Sequence, residues 1–491
     1  MTKRPQHKGL QLEEALLYQQ SASGRFGVDL PKAPTLASKL GSGQRQRIGL
    51  PEVSEPQVIR HFVRLSQKNY SIDTGLFPLG SCTMKHNPRQ NEKFARLPGF
   101  ALHPLQPEST TQGALALMHQ LSYWLSTLSG LSGITLNPAA GAHGELTGMM
   151  IIRKAHEDAG NARKIVLIPD SAHGTNPATA AMCGYGIEAI ATNDKGHVCM
   201  DSFRAAVKKH GKDIAAFMLT NPNTCGLFEP DIKNIADELH AIGAYFYCDG
   251  ANFNAIMGRV RPSDLGIDVM QFNLHKTFST PHGGGGPGCG PVAVCESLKK
   301  FLPVPYVKKE NDSYKLVTDC PDSIGRIKGF HGQFGMMVRA LSYMLSHGGN
   351  GLKQVAEDAV LNANYILTSI KDVYHAPYDG TCMHECLLSD KIQKKDDITT
   401  LDIAKAMIEY GYHPMTVYFP LVVSGAMLIE PTETESKESL DEFIATMRHI
   451  AAEAKSAPEK LKTYPQSTPR KRLDEVQAAR KPVLRYTYPS A

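Results

Sequence analysis

Residues 215–252, AAFMLTNPNTCGLFEPDIKNIADELHAIGAYFYCDGAN, spell out one complete repeating unit of the fold. Ala215–Leu219 is a short, unbroken apolar run, the pattern of a strand covered on both faces. It delivers Thr220-Asn221-Pro222-Asn223-Thr224, a polar turn. Asp231–Ile242 then carries apolar residues at helical spacing, and Ala244–Cys248 is a second apolar strand ending on Asp249-Gly250-Ala251-Asn252. A strand, a helix and a second strand in this order make a right-handed crossover between parallel neighbours.

The same alternation extends in both directions. Upstream lie a helix over Gln112–Leu128, a strand over Gly133–Leu136, a helix over Leu146–Glu157 and a strand over Lys164–Pro169. A helix over Pro177–Met182, a strand over Ile187–Ala191 and a helix over Ser202–His210 follow. Downstream, Asp268–Leu274 and Pro291–Cys295 read as strands. The pattern predicts an α/β large domain with a mostly parallel sheet and helices on both faces. Ligands of such sheets lie beyond the carboxyl ends of the strands. His173, Thr220, Asp249 and Lys276 each fall just after a predicted strand.

The flanks read differently. Residues 1–75 form an N-terminal arm with short helices expected over Leu12–Gln19 and Glu55–Gln67. The large domain is assigned to 76–335, and 336–456 to bridging helices (Phe334–Leu345, Gly351–Ile370) and a small C-terminal α+β domain. That small domain holds strands over Cys382–Leu388 and Ala426–Glu430 and helices over Thr400–Tyr410 and Ser436–Ala454. Residues 457–491 read as an extended tail.

With 491 residues the chain can build more than one core. The net charge of +5, from 53 basic and 48 acidic residues, has neither the size nor the clustering of a nucleic-acid footprint. No secretory leader is apparent and no stretch approaches a membrane span. The ten cysteines form no CxxC pair, which suits reduced thiols in the cytoplasm. Cys382-Met383-His384-Glu385-Cys386 could be imagined as a metal clip, but it lacks a second half and reads as a strand, so no metal is expected.

The strand-end residues suit pyridoxal 5'-phosphate. That cofactor needs an amine for its aldehyde, an acid to keep its pyridine nitrogen protonated, a flat group against the ring and a phosphate cradle. Lys276 is the expected amine, Asp249 the ring acid and His173 the flat group. The small-residue turn Ala139–Gly144, centred on Ala140, Gly141 and Ala142, precedes a helix and is the expected phosphate site. His275 or Thr277 could help there, and Thr220 and Asn252 stand on the same rim. For a substrate, the loop 73–85 offers Ser81 and Thr83, and Thr280 is a further candidate. His173 and His275 both qualify as general acid. The run Gly283–Gly286 beside Lys276 reads as clearance for a moving lysine.

Seven long motifs resemble one family. FPLGSCTMK (77–85), NPAAGAHGE (137–145), SAHGTNPA (171–178), TNPNTCGLFE (220–229), DGANFNA (249–255), NLHKTFSTPHGGGGPG (273–288) and MLIEPTETE (427–435) are similar to the pyridoxal-phosphate subunit of glycine decarboxylase, the P-protein of the glycine cleavage system. The length and the C-terminal TPRKRLDEVQAARKPVLRY (468–486) resemble the lysine-bearing subunit 2 of the split form. The resemblance implies a pyridoxal-phosphate aminotransferase-like (fold type I) enzyme. It also implies glycine as substrate, transfer of an aminomethyl group to the lipoyl arm of the H-protein, and release of CO2. A homologous subunit 1 is the implied partner, in a heterotetramer with two copies of each. The alternatives are another fold-type I lyase or decarboxylase, or a non-catalytic stabilising subunit.

Overall fold

The structure is a computed structural model and describes residues 14–31, 43, 49–282 and 288–485. Seven strands build its main sheet: β1 (Gly133–Thr135), β2 (Ile165–Pro169), β3 (Gly186–Ile190), β4 (Ile214–Thr220), β5 (Tyr245–Gly250), β6 (Val269–Phe272) and β7 (Val292–Val294). Their order is β1-β7-β6-β5-β4-β2-β3. The pairs from β3 to β6 are parallel, and β7 runs antiparallel to both β6 and β1. All seven residues of β4 are buried, as a strand covered on both faces requires. Alternate residues enter opposite cores: Phe217 and Phe246 pack on one side, Met218 and Tyr247 on the other.

The covering helices show why they dock. Ile232–Ala241 buries Ile232, Ile235, Ala236 and Leu239, an i, i+3, i+4, i+7 stripe. The helix expected from Leu146 begins at Gly141 and runs to Asp158. Its first turn holds small residues with no apolar period, so hydrophobic spacing alone misplaces its start.

A helix over Phe334–Ile370 crosses between the two cores. Met336–Met344, Leu352 and Val355 pack in the large-domain core; Ala363, Ile366 and Ile370 belong to the small-domain core. Gly348, at φ +61°, breaks it where the sequence leaves a gap between two helices. The small domain carries a three-stranded antiparallel sheet of β10 (Cys386–Ser389), β11 (Thr416–Val417) and β12 (Ala426–Ile429), in the order β10-β12-β11. Helices Thr400–Glu409 and Lys437–Ser456 back it.

Four expectations need correction. A hairpin, β8 (Tyr306–Glu310) and β9 (Ser313–Val317), lies where no strand is expected. Its lysines at 308, 309 and 315 hide the alternation, and Asn311 at φ +53° turns it. The strand expected from Cys382 starts only at Cys386; His384 and Glu385 before it are buried polar residues, and Glu385 accepts from the Ser81 N–H. Packing continues past residue 456: Leu461 and Tyr464 are buried in the small-domain core, so the chain there is not simply an extended tail. In the arm, residues 12 and 13 lie outside the described residues, and the helix covers only Leu17–Gln20. Glu14 pins the arm to the helix Glu55–Ser66 through Arg64 (2.5 Å) and His61 (3.2 Å).

Candidate active site

Adjacent parallel strands set the spacing of the rim. Thr220 at the end of β4 is in register with Asp249 on β5, and Asp249 with Gln271 on β6. Lys276 follows β6 in a single helical turn, Leu274–Thr277. Asp249 is almost wholly buried and accepts hydrogen bonds from Gln271 Nε2 (2.5 Å), the Ala251 N–H (3.0 Å) and Asn176 Nδ2 (3.2 Å). A buried carboxylate needs such donors.

Behind Asp249 lies a second carboxyl that sequence reasoning passed over as part of a helix start. Glu145 is buried and accepts from Asn176 Nδ2 (2.8 Å) and Thr175 Oγ1 (2.9 Å). The Asn176 amide thus bridges Glu145 and Asp249. Burial first, then the Asp249 charge, pushes the Glu145 carboxyl up to about 7. Its position as the fifth residue of the helix, at the end of the cradle motif NPAAGAHGE, was the available signal.

The turn expected as a phosphate cradle forms the N-terminus of the helix Gly141–Asp158, with Ala140 extended before it. The first free N–H groups of an eighteen-residue helix are an anion site. The cradle is closely packed: a Cβ on Gly141 would meet Asn273 Oδ1 at 2.2 Å, and one on Gly290 would meet the Ala140 oxygen at 2.0 Å. Buried polar atoms with no protein partner gather around the rim, among them Thr220 Oγ1, Asn252 Oδ1, His275 Nδ1, Thr277 Oγ1 and Thr280 Oγ1. Such atoms are rare in a settled core and suit a polar ligand.

His173 lies at the open side of the rim. Its Nδ1 is 3.0 Å from Thr175 Oγ1, and its ring meets Phe419 edge-on at 5.7 Å. Desolvation by the surrounding walls, then the Lys276 charge, holds its imidazole below the ordinary value. His275 stands against His282, ring centroids 5.1 Å apart. Burial first, then the charges of His282 and Lys276, drive His275 down to about 3; burial, then Lys276, drives His282 down to about 4, so both are neutral near pH 7. A neutral His275 can accept or donate one hydrogen bond but adds no cation to a phosphate site.

The loop 78–85 enters from outside the main sheet. Leu79 bridges Ile429, and the Gly80 N–H donates to the Leu428 oxygen (3.2 Å), so this loop lies along β12 of the small domain. Ser81 and Thr83 hold positive φ values of 64° and 46°. Non-glycine residues there cost on the order of 1–3 kcal/mol each unless the surroundings hold them. The Ser81 N–H donates to Glu385 Oε2 (2.7 Å); Thr83 donates its N–H (2.9 Å) and hydroxyl (2.5 Å) to Glu430. Thr83 is 1% exposed with its hydroxyl hydrogen engaged, which puts it in the wall. The Ser81 carbonyl accepts from Lys276 Nζ at 2.7 Å. Lys85 is buried too, donating to Glu433 (2.6 Å), the Thr277 carbonyl (2.9 Å) and Tyr343 Oη (3.2 Å).

Glu385, Glu430 and His384 place one potential ligand atom each within 4.8 Å of one another. The carboxyls already serve loop donors, and Asn254 Nδ2 adds a third bond to Glu430 (3.3 Å). This cluster reads as a clamp. Gly283–Gly286, expected to give the lysine clearance, lie outside the described residues.

Fold and site together define a fold-type I pyridoxal-phosphate enzyme, in which the residues present fit that cofactor. The family model for the aminotransferase class-V matches residues 145–302, and that for the glycine dehydrogenase C-terminal domain matches 355–469. The chain is 57% identical over 98% of its length to a probable glycine dehydrogenase (decarboxylating) subunit 2 of Caulobacter vibrioides, 93% of which is covered. It is 50% identical over 97% of its length to the protein so described from Chloroherpeton thalassium, covering 98% of it. Among solved structures, a glycine decarboxylase (P-protein) of the glycine cleavage system in inhibitor-bound form superposes with a TM-score of 0.69. That pair is 19% identical, with 86% of this chain and 91% of the other covered. A Lactobacillus brevis glutamate decarboxylase gives 0.64 at 12% identity, covering 88% and 96%. At these identities the superpositions speak for the fold. The chain belongs to the glycine dehydrogenase (decarboxylating) subunit 2 family.

Proposed function

We propose that this chain decarboxylates glycine with bound pyridoxal phosphate and passes the remaining aminomethyl group to the lipoyl disulfide of the H-protein, which is reduced. The observation that carries this reading is the meeting of Lys276 and Asp249 at adjacent strand ends, in a chain of this family. Bound at the rim, the cofactor supplies an aldehyde and a protonated ring that draws electrons from a breaking carboxyl bond.

The residues divide that work. Lys276 provides the amine that the aldehyde takes up. Asp249, fixed by Gln271, Ala251 and Asn176, holds the proton on the ring nitrogen. The N–H groups of Gly141 and Ala142 take the phosphate, with the unpartnered hydroxyls of Thr220 and Thr277 beside them; Asn252, whose Nδ2 donates to the Pro222 carbonyl, leaves its Oδ1 to accept from another part of the cofactor. His173 supplies a flat ring at the open side. With its basicity lowered by its walls, the ring is neutral near pH 7 and can accept a proton there rather than give one. Thr280, whose hydroxyl has no protein partner, is the group left to face the substrate.

The reading includes a homologous subunit 1, two copies of each chain in the assembly, and a cytoplasmic setting. In support of a partner, the helix Glu55–Ser66 leaves Ile59, Phe62 and Val63 about half exposed on one side. Among the described residues no helix is long and apolar enough to cross a membrane.

The test is exchange of labelled CO2 into the glycine carboxyl, using the chain purified with subunit 1 and lipoylated H-protein. Lys276→Ala is expected to lower the exchange by at least about a thousand-fold and to abolish the chromophore that borohydride fixes to the protein. Exchange at the wild-type rate in that variant overturns the assignment.

A further inference from the structure

The clamp around loop 80–83 has no part in the roles assigned so far, yet it ends on the amine of Lys276. We propose that the Ser81 carbonyl is the seat that receives the Lys276 amine whenever that amine is not bonded to an aldehyde, and that Glu385 and Glu430 are positioning residues for this seat. The inference rests on Lys276 being the Schiff-base lysine, as proposed above.

The geometry forms one chain of contacts. Lys276 Nζ donates to the Ser81 oxygen at 2.7 Å. That oxygen is aimed by a backbone turned into the left-handed region at Ser81 and again at Thr83. The turn is held by Glu385 on the Ser81 N–H and by Glu430 on both donors of Thr83. Gly80 completes it: its N–H donates to Leu428, its carbonyl accepts from Thr416 Oγ1 (2.7 Å), and a Cβ there would meet Leu428 at 2.5 Å. Lys85 fastens the far end of the loop to the Thr277 carbonyl, one residue from Lys276. Seat and lysine are therefore fixed to one another from both sides.

The chemistry needs such a seat. A lysine that leaves an aldehyde must wait within reach and must return. A long, flexible side chain loses that position unless something holds it. A backbone carbonyl suits the task, since it accepts from an amine or an ammonium and has no proton to give. The two carboxyls are both fully buried, with oxygens close together. Burial first, then the neighbouring Glu430, hold the Glu385 carboxyl well above its usual range. Glu430 accepts from three donors, the N–H and hydroxyl of Thr83 and the Asn254 amide, and so holds the turn beside the seat. The seat is thus built mainly by the small domain while the lysine belongs to the large one.

The test uses the full-length apoprotein, so it needs neither glycine nor the lipoyl carrier. Trace acetic anhydride labels amines, and mass spectrometry reads Lys276 relative to exposed Lys212. Thr83→Val, near-isosteric, removes the hydroxyl bond to Glu430; Glu385→Leu, of similar size, removes the acceptor of the Ser81 N–H. Each variant is expected to raise Lys276 labelling about five-fold, the factor a typical hydrogen bond is worth. In loaded enzyme each is expected to lower kcat for exchange about ten-fold while KM for glycine holds within about two-fold. Wild-type labelling of Lys276 in folded Thr83→Val and Glu385→Leu overturns the seat. Thr416→Val, which removes the hydroxyl bond to the Gly80 carbonyl, serves if a clamp variant does not fold: unchanged labelling there also overturns it. Absent exchange in wild type would instead defeat the glycine reading and leave the labelling result standing.

Discussion

Glu145 shows how far one residue's behaviour follows from its neighbours. Its carboxyl, ordinarily at 4.5, is pushed up to about 7 by burial and by Asp249. The folded state therefore holds a proton that the unfolded chain releases between about pH 4.5 and 7. Stability conferred by the neutral form is complete below 4.5 and falls through that window, by up to about 3 kcal/mol. Glu145→Gln removes the titration. The melting temperature of apoprotein Glu145→Gln minus wild type is expected to be near zero at pH 4.5 and to grow up to pH 7, where thermal denaturation across pH should show a plateau. A flat difference contradicts the coupling. At this scale the sequence was legible where chemistry sits at a strand end: Asp249 and Lys276 stand beside apolar runs that place them. Glu385 and Glu430 were not legible, because their partners lie 304 and 347 residues away. Both follow or precede apolar segments that read as ordinary strands.

Among the elements, the helix Gly141–Asp158 does the most for the site. It starts at Gly141 because that position has no room for a side chain against Asn273. Gly141→Ala forces the turn or Asn273 to move and tilts the N–H groups away from a phosphate. Cofactor affinity, followed by absorbance titration, is expected to weaken by about ten-fold or more, with far-UV circular dichroism unchanged. Wild-type affinity would show that this helix start holds no phosphate. The parallel strands and their helices were readable from continuous apolar runs and i, i+3, i+4 stripes, as in Ile232–Ala241. The hairpin Tyr306–Val317 was not, since its lysines face solvent and only tertiary contact with Gln112, which bonds Tyr314 at both its N–H and carbonyl, fixes it. The start of Gly141–Asp158 was missed for the opposite reason: small residues carry no period.

For the whole molecule, the exposed face of Glu55–Ser66 is the feature a partner would cover. Phe62 is 56% exposed, so Phe62→Glu should leave the fold intact. It is expected to weaken association with subunit 1 at least about ten-fold in sedimentation experiments, as loss of an aromatic anchor does. Unchanged assembly would place the interface elsewhere. Domain order was readable from the change of pattern after residue 330; that one helix serves both cores, with only Gly348 breaking it, needed the three-dimensional packing.

The path of residues 78–83 along β12 has a practical result for anyone dissecting this chain. Severing the C-terminal third would not yield a smaller working catalyst. The retained piece would keep Lys276 and Asp249 but would carry a ribbon whose backbone bonds to Leu428, Thr416, Glu385 and Glu430 had been stripped away. That ribbon would be an open edge inviting other chains to pair with it. The C-terminal third of the chain is structurally part of what precedes it, and a fragment without it should come out of the cell as aggregate.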